Sequence, residues 1–251
     1  GTGRLVFGRA NALRVLGKPR RLSRHPGSGP SDRINARPAK PFADSAFIPA
    51  PAHRLDRRAT GLVLTGRSHT SQKWVHGLFH TGGIRKEYLA WVKGDWPHDS
   101  PCLLQDTLAP RNDEKGKEMI CALPGGSTKE LQVTGKALQL PRPFVREKKI
   151  SLCLAVPVER FHIYSVKGFS SIAHPGSAAR RVCSTLLLVL LLTGHKHQIR
   201  AQLASRDFPV TGDRRYGTDD FPQMLLHASP LGLPSITAPW DVPALGYPPI
   251  P

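Results

Sequence analysis

His53-Arg54-Leu55-Asp56-Arg57-Arg58-Ala59-Thr60-Gly61-Leu62-Val63-Leu64 sets a single carboxylate among arginines, directly ahead of a β-prone run. The run Thr60-Gly61-Leu62-Val63-Leu64-Thr65-Gly66 predicts a short strand closed by glycine. On an extended approach to that strand, side chains two apart share a side. Arg54 and Asp56 are therefore expected to face one cleft. A carboxylate in that position serves as a nucleophile, a base or a metal ligand. Metal use needs further acids nearby, and the closest preceding one is Asp44, so a nucleophile fits better than a metal cage. Taken alone, the four residues from His53 to Asp56 are more economically explained by a surface ion pair in an Arg-rich turn.

Downstream of the strand, Ser68 or Thr70 is positioned to cap a helix carrying Trp74, Val75, Leu78 and Phe79 on one apolar face, and Gly82-Gly83 ends it. Lys86-Glu87-Tyr88-Leu89-Ala90-Trp91-Val92-Lys93 then predicts a strand closed by Gly94. Residues 95–180 are divergent, with short apolar pieces at 138–140, 150–158 and 161–166 separated by basic and Pro/Gly breaks. Short strands joined by loops are expected there. From 185 to 193 the chain is a buried-strand run. Gly194 makes a turn, and 197–205 forms a helix with Ile199 and Leu203 on one face. Residues 19–52 form a Pro/Arg-rich loop, and the tail from about 231 is Pro-rich. The whole 1–251 is expected to be one catalytic domain.

The 251 residues carry 36 Lys and Arg against 18 Asp and Glu, a formal net charge of +18. Such an excess points to a nucleic-acid partner, because phosphate neutralisation and counterion release supply affinity whatever the sequence. Cys102, Cys121, Cys153 and Cys183 have no two-residue pairing, so a thiolate zinc site is not expected and the thiols are taken as free in a reducing compartment. The longest apolar run, 186–192, is far short of a membrane span. His76 and His80 sit four apart on the first helix without an evident third ligand, and are taken as surface histidines. Gly125-Gly126-Ser127-Thr128-Lys129 lacks the glycine spacing and Gly-Lys order of a phosphate loop. His195 and His197 flank Lys196 at a helix start, where a phosphate contact and a solvated turn are both open readings.

Further segments change the standing of Asp56. They are Arg85-Lys86-Glu87-Tyr88-Leu89-Ala90, Thr193-Gly194-His195-Lys196-His197-Gln198-Ile199-Arg200, Gly212-Asp213-Arg214-Arg215-Tyr216-Gly217 and Leu226-His227-Ala228. With the Arg-Leu-Asp segment, and in this order, they resemble the RluA-type family of pseudouridine synthases. Val15-Leu16-Gly17-Lys18-Pro19 and His25-Pro26-Gly27-Ser28-Gly29 are similar to that family's first strand and following loop. The resemblance spans about 12–94 and 185–230.

The resemblance implies an α/β (α+β) pseudouridine synthase fold: a mostly antiparallel, curved, mixed sheet flanked by helices and loops, with a basic cleft across its middle. It implies an RNA-modifying isomerase that turns uridine into pseudouridine with no metal and no organic cofactor. Asp56 matches the essential aspartate. Tyr88 matches the tyrosine that stacks on the base and helps remove the C5 proton. Arg200 matches the arginine that pairs with the aspartate, and Arg54 the one that fills the gap left by the flipped base. His53, Lys86, His197 and Gln198 are expected to bind substrate. The chemistry is coherent from below. A base inside a helix hides its glycosidic bond, so the nucleotide must leave the stack, and a guanidinium plus an aromatic platform offset the few kcal/mol that this costs. The planar fork of an arginine partner orients a carboxylate.

The chain departs from the family pattern at Ala59-Thr60 for Thr-Ser, His195-Lys196 for Arg-Thr, and Ala201-Gln202 for Val-His, the last expected to remove a polar side chain near Arg200. No N-terminal S4 RNA-binding domain, which some members carry, is expected within these residues. Ribosomal RNA or a large-subunit assembly particle is the expected partner, which places the protein in rRNA processing and ribosome biogenesis. A catalytically dispensable RNA-binding assembly factor of the same fold is the alternative. The Lys196-His197-Gln198-Ile199-Arg200 variant resembles that of some organellar members, so a mitochondrial location is expected, with a cytoplasmic one as the alternative.

Overall fold

The structure is a computed structural model that describes residues 6–9, 13–18, 51–81, 83–114, 116, 118–131, 150–165, 180–218 and 221–229. The expected early loop at 25–29, the bulk of the 19–52 loop, Gly82, the apolar piece at 138–140 and the Pro-rich tail lie outside these residues. The chain divides into two compact units, residues 1–87 with 227–251, and residues 88–226.

In the first unit, β1 (Val6–Arg9) and β2 (Leu13–Lys18) pair antiparallel, and β2 pairs antiparallel with β3 (Thr60–Gly66). The β3 bounds match the predicted strand residue for residue. Helix α1 (His69–Thr81) follows it. Ser68, not Thr70, is the cap: its Oγ accepts the Ser71 N–H at 3.2 Å, and the Ser71 Oγ in turn accepts the Ser68 N–H at 3.0 Å. This reciprocal arrangement satisfies two of the donors a helix start leaves orphaned. Val75 is fully buried against Leu13, Ala52, Leu64 and Ile84, with Trp74, Leu78 and Phe79 packed around them, so the predicted apolar face is the one that builds this core.

The second unit begins within the strand of residues Lys86–Lys93, β4. It continues through β5 (Cys102–Asn112), β6 (Glu118–Ala122), β7 (Ser127–Glu130), β8 (Ile150–Ser165) and β9 (Arg180–Leu191) to helix α2 (Gln198–Ala204). The strand order is β4-β9-β8-β5-β6, with β7 also on β5. β5 pairs antiparallel with β6, β7 and β8, and β8 pairs antiparallel with β9. Leu104, Leu154, Leu187, Val189 and Leu203 are fully buried and form its interior.

The two apolar pieces expected at 150–158 and 161–166 are one long strand. The polar pair Glu159-Arg160 between the two pieces reads as a break. The structure accommodates it at a bulge: Pro157 faces Leu187, Glu159 faces Leu186, and the intervening Val158 is exposed. The last strand, β10 (Leu226–Ala228), contributes His227 and Ala228 to the first unit, where they pair parallel with Thr60 and Gly61 of β3. The result is a mixed, mostly antiparallel α/β fold.

Candidate active site

Asp56 lies in the first unit, in an irregular segment that enters β3. Its carbonyl accepts the Ala59 N–H at 3.1 Å and closes a turn over Arg57 and Arg58. Asp56 is half-buried while Arg54 is exposed, so the two side chains do not share one environment as a regular extended segment would require. An exposed guanidinium on a turn before the strand is free of the core and suited to entering a base stack. His53 is engaged locally: its Nε2 accepts the Leu64 N–H at 3.1 Å, and its ring packs 4.5 Å from that of Phe79. The ring nitrogen thereby anchors the approach segment to β3 and α1.

The residue beneath this turn is Lys18, which the sequence reading left without a role although it lies in the quoted Val-Leu-Gly-Lys-Pro segment. Its amine donates to the Ala59 carbonyl at 2.6 Å and to the Arg57 carbonyl at 3.0 Å. The carbonyls on either side of Arg58 are thereby tied to β2, and the turn carrying Asp56 is held from below. Burial pushes the amine down to about 8, against the opposing pull of the Asp56 carboxylate. Because the folded value lies below the unfolded one, the unfolded chain binds more protons between about pH 8 and 10.5, and stability rises with pH across that window. Relative to Lys18→Met, the wild type is expected to gain stability over this range, by at most about 1.4 kcal/mol per pH unit. Urea midpoints of the two proteins measured from pH 7 to 10.5 check this, and parallel curves would contradict it.

In the second unit, Tyr88 sits in β4, buried at 9% exposure beside Ala90 and Val92 on the same strand. Lys86 opens β4 and is half-buried. Arg200 projects from α2. Its Nε donates to Asp213 Oδ2 at 2.6 Å and its Nη2 to Asp213 Oδ1 at 2.8 Å. The carboxylate is fully buried and the arginine side chain 7% exposed. Asp213 Oδ1 also takes the Arg215 N–H at 3.0 Å, which fixes the carboxylate in its turn. The Tyr216 ring lies against the guanidinium, 4.8 Å from Cζ to centroid. Tyr216 Oη accepts the Ile120 N–H at 3.0 Å and meets His197 Nδ1 at 2.9 Å. Asp213 and Tyr216 were visible as part of a motif, but their service to Arg200 was not, because the partners come together only through folding.

His197 is the residue before α2 and adopts a left-handed conformation, φ 53°. The loop ahead of it is fastened by Gln198. The Gln198 Oε1 accepts from Thr193 Oγ1 at 2.9 Å and from the His195 N–H at 3.0 Å, while its Nε2 donates to the Leu152 carbonyl at 3.0 Å. With 2% exposure and both ends of its amide used inside the protein, Gln198 positions the loop ahead of α2. Lys196 donates to Glu118 at 2.6 Å, so its charge is matched on β6. Gln202 does not impoverish the neighbourhood of Arg200 as expected. It is fully buried, and its amide reaches Asp106 Oδ2 at 2.7 Å and the Ser151 carbonyl at 3.1 Å. Arg206 donates to the same Asp106 at 2.8 Å. Three side chains of this segment thus bind it to β5 and β8, and Arg200 is presented from a rigid support. His76 and His80 are exposed on α1, as expected, and His76 bonds to Gln72.

The sequence profile of the family described as RNA pseudouridylate synthase matches residues 13–205. The ribosomal large subunit pseudouridine synthase C of Buchnera aphidicola subsp. Baizongia pistaciae is 24% identical over 209 residues, which is 82% of this chain and 52% of the relative. An uncharacterised RNA pseudouridine synthase of Helicobacter pylori (strain ATCC 700392 / 26695) is 30% identical over 170 residues, 68% of this chain and 44% of the relative. The chain thus spans about half the length of the curated relatives it matches. Among solved structures, human RNA pseudouridylate synthase domain containing 1 shares the fold, with a TM-score of 0.64 at 20% identity, over 94% of this chain and 80% of that one.

Proposed function

Since the chain belongs to the RNA pseudouridylate synthase family, we propose that it isomerises uridine to pseudouridine in RNA, with ribosomal RNA as the substrate class. The observation that carries this reading is the extent of the family match, residues 13–205, which takes in Asp56, Tyr88 and Arg200 together. The relatives named as ribosomal large subunit synthases support the choice of substrate. The net charge of +18 supports a grip on a polyanion.

In the proposed reaction the target nucleotide leaves its stack, and Arg54, exposed ahead of β3, enters the gap. Asp56 is the nucleophile, attacking either the ribose C1′ or the base. The N1–C1′ bond breaks, the uracil turns, a C5–C1′ bond forms, and the C5 proton departs. Tyr88 stacks on the base and assists that proton's removal. Arg200 orients charge in the site, its plane set by Asp213. Atoms balance within the nucleotide, since the product is an isomer and the C5 proton is exchanged for one on N1. The resemblance further favours work on ribosome biogenesis in mitochondria.

Incubation of the purified chain with transcribed large-subunit rRNA carrying 5-tritiated uridine tests the proposal. Release of tritium to water, with pseudouridine at a defined position, is expected. Release only from another RNA class would move the substrate assignment, and no release from any cellular RNA class would overturn the activity.

A further inference from the structure

Between β4 and β5 runs Asp95-Trp96-Pro97-His98-Asp99-Ser100-Pro101-Cys102, a loop stiffened by two prolines. Arg160 of β8 holds it from one side. Its Nε and Nη2 donate to the Trp96 carbonyl at 3.2 and 3.0 Å, Nη2 also to the His98 carbonyl at 2.8 Å, and Nη1 to Asp99 Oδ1 at 2.7 Å. The His98 ring packs edge-on to Trp96, 5.7 Å between centroids. Across the sheet, Cys102 is in register with Glu130 of β7. His98 Nδ1 contacts Glu130 Oε1. One donor atom each from His98, Cys102 and Glu130 lies within 4.8 Å of the other two. Ligands around a tetrahedral zinc are separated by roughly 3.3–3.8 Å, given bond lengths of 2.0–2.3 Å, so closing on an ion takes side-chain adjustment and no rearrangement of the loop.

A second observation points the same way. The Trp96 side chain is 2% exposed, and among the described residues its Nε1 finds no partner of ordinary hydrogen-bond geometry. It approaches the Cys102 thiol. A thiol is a weak acceptor, so this buried indole N–H is left short. A ligated thiolate is a far better acceptor, and an N–H aimed at a metal-bound sulfur is the kind of outer support that ligands of this type receive.

We propose that His98, Cys102 and Glu130 bind one zinc-class divalent ion, with the fourth position open to solvent. A nitrogen, a sulfur and a carboxylate oxygen suit zinc and not magnesium or calcium. Cys102 is fully buried while His98 is half-exposed and Glu130 exposed, so the ion enters from water and meets the sulfur at the floor of the site. On binding, the thiol proton passes to solvent as the metal–sulfur bond forms. The ion ties β7 to the start of β5 and to the proline loop, a role separate from the isomerisation.

Cobalt titration of the whole purified chain, after chelator dialysis, tests this. One equivalent of Co²⁺ is expected to give a thiolate-to-cobalt charge-transfer band together with the visible bands of a tetrahedral ion, all displaced by zinc. Cys102→Ser should remove the charge-transfer band. His98→Ala, at a half-exposed position that folding does not depend on, should weaken zinc binding by more than the roughly 10–100-fold that outer-shell changes cause. A purely octahedral spectrum, a charge-transfer band surviving in Cys102→Ser, or unchanged affinity in His98→Ala would each overturn the site and leave His98–Glu130 as a plain ion pair.

Discussion

Asp56→Asn is expected to bind RNA as the wild type does and to isomerise it at a rate lower by about four orders of magnitude or more. Loss of an attacking group typically removes nearly all the acceleration an enzyme provides beyond binding. The amide is nearly isosteric, and the backbone bonds that close the turn do not use the carboxylate. The turn is closed by the Asp56 backbone carbonyl to Ala59, and it is held from below by the two bonds from Lys18 to the Arg57 and Ala59 carbonyls. Binding survives because it draws on phosphate contacts spread over a chain of net charge +18, to which Asp56 contributes one unit of the wrong sign. Filter binding and tritium release on the same RNA separate the two quantities. Activity within tenfold of wild type would sink the assignment of Asp56 as nucleophile, and a parallel collapse of binding would show that it serves the RNA grip instead.

The largest effect on stability is expected at Asp213. Asp213→Ala leaves the Arg200 guanidinium at 7% side-chain exposure without its counter-charge, and strips the Arg215 N–H of its acceptor. Breaking a buried pair from one side in this way costs about 3–5 kcal/mol, because the surviving charge remains desolvated. Asp213→Asn is expected to be nearly as damaging, since an amide offers one acceptor oxygen where the fork and the backbone use two. Urea denaturation followed by tryptophan fluorescence reads the loss. The double variant Arg200→Met/Asp213→Leu distinguishes support from chemistry. Apolar replacement of a whole buried pair is frequently neutral or better for stability, so this protein should regain most of its midpoint and remain inactive. A double variant with wild-type activity would remove Arg200 from the reaction.

The elements that could be read in advance are those whose signal is local. β3 alternates between glycines and α1 carries its apolar face at helical spacing, and both appear where the pattern put them. β8 was divided because the polar pair Glu159-Arg160 interrupts its apolar run, whereas the bulge between Pro157 and Glu159 that carries the strand through depends on β9 alongside. The site divides in the same way. Asp56 and Arg200 were recognisable because motifs mark them. Asp213 was marked by its motif too, but only the fold, which brings it to Arg200 thirteen residues earlier, shows it as a counterion. His53 and Gln198 were assigned to RNA because they are polar and lie in motifs, and in the fold each also bonds the backbone, His53 at the Leu64 N–H and Gln198 at the His195 N–H and the Leu152 carbonyl. Residue type shows what a side chain is able to bind, but not which competitor within the chain reaches it first.

The parallel pairing of β10 with β3 also has a consequence in time. Thr60 Oγ1 meets His227 Nδ1 across 167 positions of sequence, and Gly61, at φ 123°, lies so close to the Ala228 backbone that a side chain there would collide with it. During synthesis at roughly 5–20 residues per second, the edge of β3 therefore waits on the order of 10–30 s for the strand that completes it. Over that interval the segment carrying Asp56 is attached to a ladder paired on one side only, and the nascent chain has Asp56 long before it has the finished support beneath it. Competence for chemistry is therefore expected to arrive late in translation, with the last of the described strands.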